Sequence, residues 1–274
     1  MAQDEAHRNQ EGLLSGGWLE PWAHGHYSAR GTPFVHMFGI EPAYLQRDLI
    51  LTNHWTDAPG ETETEIEAEL EWAFTKRLGL LVEAPLVHID EDGGDKNTGI
   101  GDLAIVPRAL LVDTDLFLMT ANLELTLPTG DEDKGLGAGE SFLAPSLSIW
   151  ADLGDWITFQ GQAGLEYGTD SKDRELFYTA GVAYTFLTTE SSGSDASAAA
   201  HDGHLPAGMM SAIVELGGHT ALTGDEAGGT TAEMLFGACY TVNSRWEVRA
   251  GLELPVGGPR DIDSGFIVSA IYHF

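Results

Sequence analysis

The sequence predicts an all-β fold, namely a transmembrane antiparallel up-and-down β-barrel of about twelve strands. Hydrophobicity alternates with a period of two from about residue 62 onward, and the alternating segments are separated in turn by short turns and longer polar loops. The segments run for about eleven to fourteen residues, whereas strands in soluble domains usually have about five or six and tilted strands that cross a bilayer need about nine to eleven. The strand lengths therefore favour a barrel in a membrane.

The alternation gives each segment one apolar and one polar face, because successive side chains of a strand point to opposite sides. Between residues 63 and 74, a run of glutamates alternates with apolar residues that include Ile66 and Leu70. In the last segment the residues that share one face are all apolar: Phe266, Val268, Ala270, Tyr272 and Phe274. Such strands suit a barrel with lipid outside and a polar interior.

The connections indicate which end of the barrel is which. Short turns are predicted near residues 75–77, 113–115, 152–155 and 243–244, and longer polar loops near residues 57–63, 89–100, 128–139, 168–173, 221–229 and 257–262. In bacterial outer-membrane barrels the short turns lie in the periplasm, and an even number of strands brings both termini to that side. The Ser- and Ala-rich connection 188–207 is an exception, since it is long but falls on the short-turn side.

Composition excludes several classes of protein. Acidic residues outnumber basic ones by 43 to 13, which gives a net charge of −30. This charge argues against nucleic acid, whose phosphates need Lys and Arg, and favours cations as partners. The single cysteine, Cys239, excludes an internal disulfide and a cysteine-based zinc site. No apolar stretch approaches the ~18 residues of a transmembrane helix.

The N-terminal region differs from the rest of the chain. No secretory signal follows Met1, which fits either a cytoplasmic protein or a mature exported protein with a new start methionine. The strand pattern favours the second interpretation and the bacterial cell outer membrane as the location. Residues 46–274 are predicted to form the barrel. Residues 1–45 show little alternation and are predicted to be a periplasmic extension or a plug in the lumen.

Short motifs resemble a known family. Gly99-Ile100-Gly101-Asp102-Leu103 is similar to a segment of the outer-membrane transporter family associated with the meta-pathway of phenol degradation, and Leu127-Pro128-Thr129-Gly130 resembles another. The resemblance implies an outer-membrane barrel and includes small hydrophobic or aromatic compounds among the solutes to consider. It assigns no functional residue. The terminal Ile271-Tyr272-His273-Phe274 resembles the signature that the barrel-assembly machinery reads, which implies that machinery as a partner.

The polar faces predict an acidic lumen. The residues expected to line it and to set its selectivity are Glu65, Glu67, Glu69, Glu71, Glu83, Glu124, Glu166, Glu215, Glu233, Glu247, Glu253, Arg108 and Arg249. Crowded carboxylates recruit cations, stay hydrated or take up protons, so such a lining favours cations and excludes anions. The same residues could instead form a hydrogen-bonded network that fills the interior, because small barrels have little room beyond their side chains.

Two histidine pairs offer imidazole ligands for a transition metal. They are His24 with His26, and His201 with His204, and strand parity places both pairs on the periplasmic side. Neither pair is a full ligand set alone, so the metal site would have to combine them. The simpler interpretation is two solvated pairs.

The sequence thus predicts a passive outer-membrane channel for small solutes, in contact with outer-membrane lipid and lipopolysaccharide and without a cofactor. Enzyme activity is not expected, since the sequence contains no G-x-S-x-G motif. Two alternatives stay open. One is a non-conducting structural or partner-binding barrel, in which residues 1–45 or 188–207 dock to a periplasmic partner. The other is uptake of small hydrophobic or aromatic compounds.

Overall fold

A computed structural model describes residues 16–187, 207–224, 227–258 and 262–274. From residue 47 onward, long alternating segments form antiparallel strands in this part of the chain. The strands are β1 (Arg47–Ala58), β2 (Glu61–Ala73), β3 (Leu78–Glu91), β4 (Lys96–Ile100), β5 (Leu103–Asp113), β6 (Phe117–Leu127), β7 (Phe142–Gly154), β8 (Ile157–Gly168), β9 (Arg174–Leu187), β10 (Met209–Ala221), β11 (Thr230–Asn243), β12 (Trp246–Gly257) and β13 (Ser264–His273).

The sheet closes on itself, which confirms the predicted barrel. Each strand pairs with its sequence neighbours except that β4 and β5 do not pair with each other, and β1 pairs with β13 from Asp48 opposite His273 to Asp57 opposite Ser264. Strand β3 pairs with β5 along Leu78–Glu83 and with β4 along Leu86–Asp90. Strands β4 and β5 therefore share one position in the barrel, and the thirteen strands occupy twelve positions. The C-terminal strand closes the barrel, as the apolar face ending at Phe274 predicts.

The predictions that residues 57–63 and 89–100 form longer polar loops were wrong. Strand β1 ends at Ala58 and β2 begins at Glu61, so the first of these connections is a two-residue turn. Strand β3 continues to Glu91, β4 begins at Lys96, and the connection between them is a tight turn. Asp90 pairs with Lys96 in the register, and their side chains also form an ion pair. The composition of residues 89–100 is polar because this hairpin is exposed. Its backbone nevertheless continues the hydrogen-bonded pairing of the sheet.

The two faces of the barrel differ in exposure as the alternation predicts. Large apolar residues are exposed on the outer face, for example Ile66, Leu70 and Val268. On the inner face Ile50 and Ile271, which pair across β1 and β13, are buried. The outward apolar surface is what a lipid-facing barrel requires.

Within the described residues, no helix is long and apolar enough to cross a membrane.

Residues 16–46, hereafter the inner segment, pack against the interior wall. The N-terminal part of the inner segment contacts the short-turn end of the barrel, where Lys76 donates its backbone N–H to the Glu20 carbonyl at 3.1 Å. Farther along, two apolar clusters combine inner-segment residues with wall residues. One contains Phe34, Ala43, Tyr44 and Leu45 with Ala73, Leu110, Leu118 and Trp150. The other contains Val35, Met37 and Ile40 with Ala183, Ile213 and Cys239. An apolar core thus lies inside the barrel.

The two family-like motifs meet in space at the longer-loop end. The Asp102 carboxylate accepts hydrogen bonds from the backbone N–H groups of Gly130 and Ala138, each at 2.8 Å. Thr129 donates its hydroxyl to the Gly101 carbonyl at 2.7 Å. These bonds hold the loop between β6 and β7, whose Leu136 is buried against inward residues of β3. The motifs therefore fix a loop, and they place no reactive group.

Candidate functional site

The structure places the predicted lumen residues on the inner face of the barrel. In the register Glu71 lies opposite Asp48 and Leu81, and Glu247 lies opposite Ile271 and Thr241. The residues on this face are Glu65, Glu67, Glu69, Glu71, Glu83, Glu124, Glu166, Glu215, Glu233, Glu247, Glu253, Arg108 and Arg249. Their effect on ion selectivity stays a prediction.

Ten of the thirteen lumen residues, all except Glu69, Glu83 and Glu233, fall into two zones. Near the short turns, Glu71, Arg108, Glu215, Glu247 and Arg249 are buried, and most of them contact the inner segment. Toward the longer loops, the glutamates are partly exposed, and the side chain of Glu253 is paired with His54 at 3.2 Å. The second group comprises Glu65, Glu67, Glu124, Glu166 and Glu253 and is called the acidic vestibule below.

Arg108 joins the wall to the inner segment. Its Nη1 donates to Oε1 of Glu71 at 3.0 Å, its Nε donates to Asn122 at 3.2 Å, and its Nη2 donates to the Pro42 carbonyl. Arg108 and Glu71 are both almost completely buried. A buried charge pair needs such further hydrogen bonds to offset its desolvation.

Arg249 has the same role on the opposite part of the wall. It donates to the Met37 carbonyl and to the Ser269 hydroxyl, and its guanidinium lies 5.0 Å from the centre of the Phe38 ring. Both predicted basic lumen residues thus bind inner-segment carbonyl groups. The two arginines therefore hold the segment in place, a contact that strand alternation does not reveal.

Carboxylate and amide side chains complete the attachment. Glu215 accepts hydrogen bonds from the backbone N–H groups of Phe38 and Gly39 at 2.7 and 2.9 Å. Gln160 donates to the Val35 carbonyl at 2.6 Å. The inner segment forms little regular structure of its own, so these wall side chains satisfy backbone groups that would otherwise be buried without partners.

Two wall glycines make room for the inner segment. A Cβ atom on Gly237 would lie 2.4 Å from the Phe38 ring, and one on Gly181 would lie 3.2 Å from the Met37 sulfur. The absence of a side chain at these inward positions lets Met37 and Phe38 approach the wall.

Replacing Gly237 by valine is therefore expected to displace Phe38 and to destabilise the protein by about 1–3 kcal/mol, the usual cost of overfilling a packed interior. The measurement is urea unfolding of the micelle-bound barrel, followed by tryptophan fluorescence. Ala238→Val, one residue along β11 and on the outer face, serves as the control. Equal stability of the two variants would contradict the proposed close contact.

The predicted metal ligands are only partly described. The His24 and His26 rings lie edge to face with centres 4.5 Å apart, and Gln46 donates to Nδ1 of His26 at 3.1 Å. Burial, followed by the neighbouring His273 ring, lowers the pKa of His26 to about 3. His201 and His204 lie outside the described residues. The predicted combined site is therefore untested.

A different group of ionisable residues is buried near the short turns. It contains His36 of the inner segment, Asp48 of β1, Glu71 of β2, Glu247 of β12 and His273 of β13, hereafter the buried cluster. His273 donates to Oδ1 of Asp48 at 2.8 Å, and Nε2 of His36 lies 3.1 Å from Oδ2 of Asp48.

Sequence reasoning missed most of this cluster. Glu71 and Glu247 were predicted as lumen residues, but His36 lies in a segment without periodicity. Asp48 and His273 do lie on the inward faces of their strands, and the pairing of the first and last strands brings them opposite each other. The sequence could have revealed the Asp48–His273 pair, because closing the barrel requires the first and last strands to pair.

Comparisons with known proteins place the chain in a family. A family profile with the description "Putative MetA-pathway of phenol degradation" matches residues 54–254. No curated protein sequence matches the chain.

Solved structures with a similar fold are outer-membrane barrels. An outer membrane channel from Pseudomonas putida F1 is 12% identical, with a TM-score of 0.65, and the match covers 88% of this chain and 100% of that one. The KdgM porin is 12% identical with a TM-score of 0.52, and the match covers 83% and 99% of the two chains. The NanC porin is 10% identical with a TM-score of 0.51, and the match covers 82% and 98%. At these identities the likeness establishes the fold.

Proposed function

The chain belongs to the family described as "Putative MetA-pathway of phenol degradation", and from that premise we propose that it is an outer-membrane channel for passive transport of small solutes, with a preference for cations. The observation that carries the proposal is the acidic vestibule inside a closed barrel. The fold shared with an outer membrane channel and two porins supports both the location and the passive transport.

Electrostatics supports the cation preference. Glutamates two residues apart on one strand face are separated by about 7 Å. That distance is shorter than the Debye length of ~10 Å at 0.1 M salt, so their negative potentials overlap. Glu65 and Glu67 on β2 are such a pair, and Glu124 of β6 faces the same interior. A cation entering this zone is attracted and an anion is repelled.

The inner segment limits the expected width of the channel through the barrel. It fills part of the interior next to the short turns with two apolar clusters, whereas the acidic vestibule is partly exposed. We therefore propose a narrow channel whose conductance is limited by the inner segment and whose selectivity comes from the vestibule.

Planar-bilayer recording tests the proposal. At about 0.1 M KCl we expect discrete current steps and a higher permeability for K⁺ than for Cl⁻, because the vestibule is not fully screened at that ionic strength. The triple variant Glu65→Gln, Glu67→Gln and Glu124→Gln should bring the permeability ratio close to one. Selectivity of the unmodified protein should also weaken at 1 M salt, where the Debye length is about 3 Å.

A second triple variant controls for net charge. Asp92→Asn, Asp95→Asn and Asp133→Asn remove the same number of charges from exposed loop residues and should leave the permeability ratio nearly unchanged. Anion selectivity of the unmodified protein, or an equal effect of the two triple variants, would contradict the role of the vestibule.

The attachment of the inner segment also favours a second candidate, a barrel that does not conduct. Buried arginine, glutamate and glutamine side chains bind this segment at several points, as a permanent filling of the interior would require. Absence of any current step from correctly folded protein would support this candidate. Uptake of small hydrophobic or aromatic compounds is a third proposal, and liposome uptake of a labelled phenol with and without the protein tests it.

A further inference from the structure

Three carboxylates of the buried cluster each accept a hydrogen bond through one oxygen only. Asp48 uses Oδ1 to accept from His273 at 2.8 Å, Glu71 uses Oε1 to accept from Arg108 at 3.0 Å, and Glu247 uses Oε1 to accept from Thr241 at 2.7 Å. The other oxygens, Oδ2 of Asp48 and Oε2 of Glu71 and of Glu247, are buried without a hydrogen-bond partner. Each carboxylate is thus oriented by one oxygen and has the other available.

His36 supplies a nitrogen donor to the same place. It is 2% exposed, and neither of its ring nitrogens has a hydrogen-bond partner. Its Nε2 lies 3.1 Å from Oδ2 of Asp48, in an orientation that is not a hydrogen bond, and its Nδ1 lies 3.7 Å from Oε2 of Glu247. Potential ligand atoms of His36, Asp48 and Glu71 all lie within 4.8 Å of one another.

Ion pairing alone does not account for this geometry. Buried polar atoms are nearly always hydrogen-bonded, and an ionised oxygen without a partner is especially unfavourable. Oδ2 of Asp48 and Oε2 of Glu247 lie 3.1–3.7 Å from histidine nitrogens but accept no hydrogen bond, and Oε2 of Glu71 also has no hydrogen-bond partner. A cation between His36, Asp48 and Glu71 would satisfy two of the three oxygens and a nitrogen of His36 at once.

We propose that a divalent transition-metal ion such as Zn²⁺ binds between His36, Asp48 and Glu71 and clamps the inner segment to strands β1 and β2. Imidazole and carboxylate donors at about 2.0–2.2 Å are the ligands that such ions take in proteins. The ligand atoms, which lie within 4.8 Å of one another, would move closer together to reach those distances. His273 and Arg108 act as the outer partners that orient the Asp48 and Glu71 carboxylates, an arrangement typical of metal sites.

The second group of potential ligands, Glu41, Glu69 and Glu71, shares Glu71 with this site. It contains carboxylates only and is less buried, so it gives no comparable reason to bind a transition metal. The proposed clamp is independent of ion conduction, since it requires only the folded barrel with its inner segment.

Calorimetry on the full-length protein in micelles, stripped with a chelator and titrated with ZnCl₂, tests the proposal. We expect one site per chain that Mg²⁺ does not fill, and His36→Gln should weaken its Zn²⁺ affinity by at least about 100-fold, more than loss of an outer partner does. Zn²⁺ should also raise the unfolding midpoint of the unmodified protein, because it binds the native state.

Two further variants and one direct measurement distinguish loss of the proposed site from misfolding and from weak Zn²⁺ binding at the surface. Glu71→Gln keeps an oxygen for Arg108 and should still lower the Zn²⁺ affinity, whereas His219→Gln removes an exposed histidine that is paired with Glu175 and should not. Anomalous scattering at the zinc edge from crystals of the unmodified protein should give a peak between His36 and Asp48. No such peak, unchanged binding by His36→Gln, or loss of binding in His24→Gln instead would overturn the assignment.

Discussion

Removal of residues 1–45 is expected to raise the single-channel conductance several-fold. The described part of this region packs its apolar side chains against inward residues such as Trp150 and Ile213, so the truncated barrel would have a water-filled space there. Conductance grows with the open cross-section of a pore. Planar-bilayer recording of the two proteins at equal salt measures the change.

Deletion of residues 1–15 alone is the matched control, because it retains every residue of the inner segment. It should leave conductance unchanged. The larger deletion should also lower the unfolding midpoint, since each large apolar side chain that loses its packing gives up about 1.5–3 kcal/mol. A folded truncated barrel with the conductance of the full chain would show that the inner segment does not limit transport.

Replacing Arg108 by methionine is expected to reduce the free energy of unfolding by about 3–5 kcal/mol. The variant leaves Glu71 buried without its cation and leaves the Pro42 carbonyl without its donor. Both groups are costly to bury unpaired, and neither β2 nor β5 carries a lysine or another arginine as a substitute. Urea unfolding in micelles, with and without the change, measures the difference.

A second substitution separates the lost charge pair from a general packing defect. Adding Glu71→Leu to Arg108→Met removes both charges, and buried pairs replaced in this way by apolar residues are often as stable as the original. The double variant should therefore recover most of the lost stability. Arg245→Ala, at an exposed turn, should have little effect. If the double variant is as unstable as the single one, the Arg108–Glu71 pair is not the cause.

The sequence alone determined the barrel. Alternation depends only on neighbouring residues of one strand. The glutamates from Glu63 to Glu71 therefore indicate a polar strand face whatever the position of that strand in the fold. Turn spacing is equally local, and it predicted most of the connections, although the loop predicted near residues 57–63 is a two-residue turn. The error at residues 89–100 arose because a polar composition does not distinguish a loop from an exposed hairpin such as β3–β4.

Only the tertiary structure decided what lies inside the barrel. The backbone carbonyls of Pro42 and Met37 meet Arg108 and Arg249 across separations of 66 and 212 residues, and no periodic signal links them. The same holds for His36 beside Asp48 and Glu71. Alternation shows that a side chain points inward, whereas its partner there depends on how the whole chain closes around the lumen.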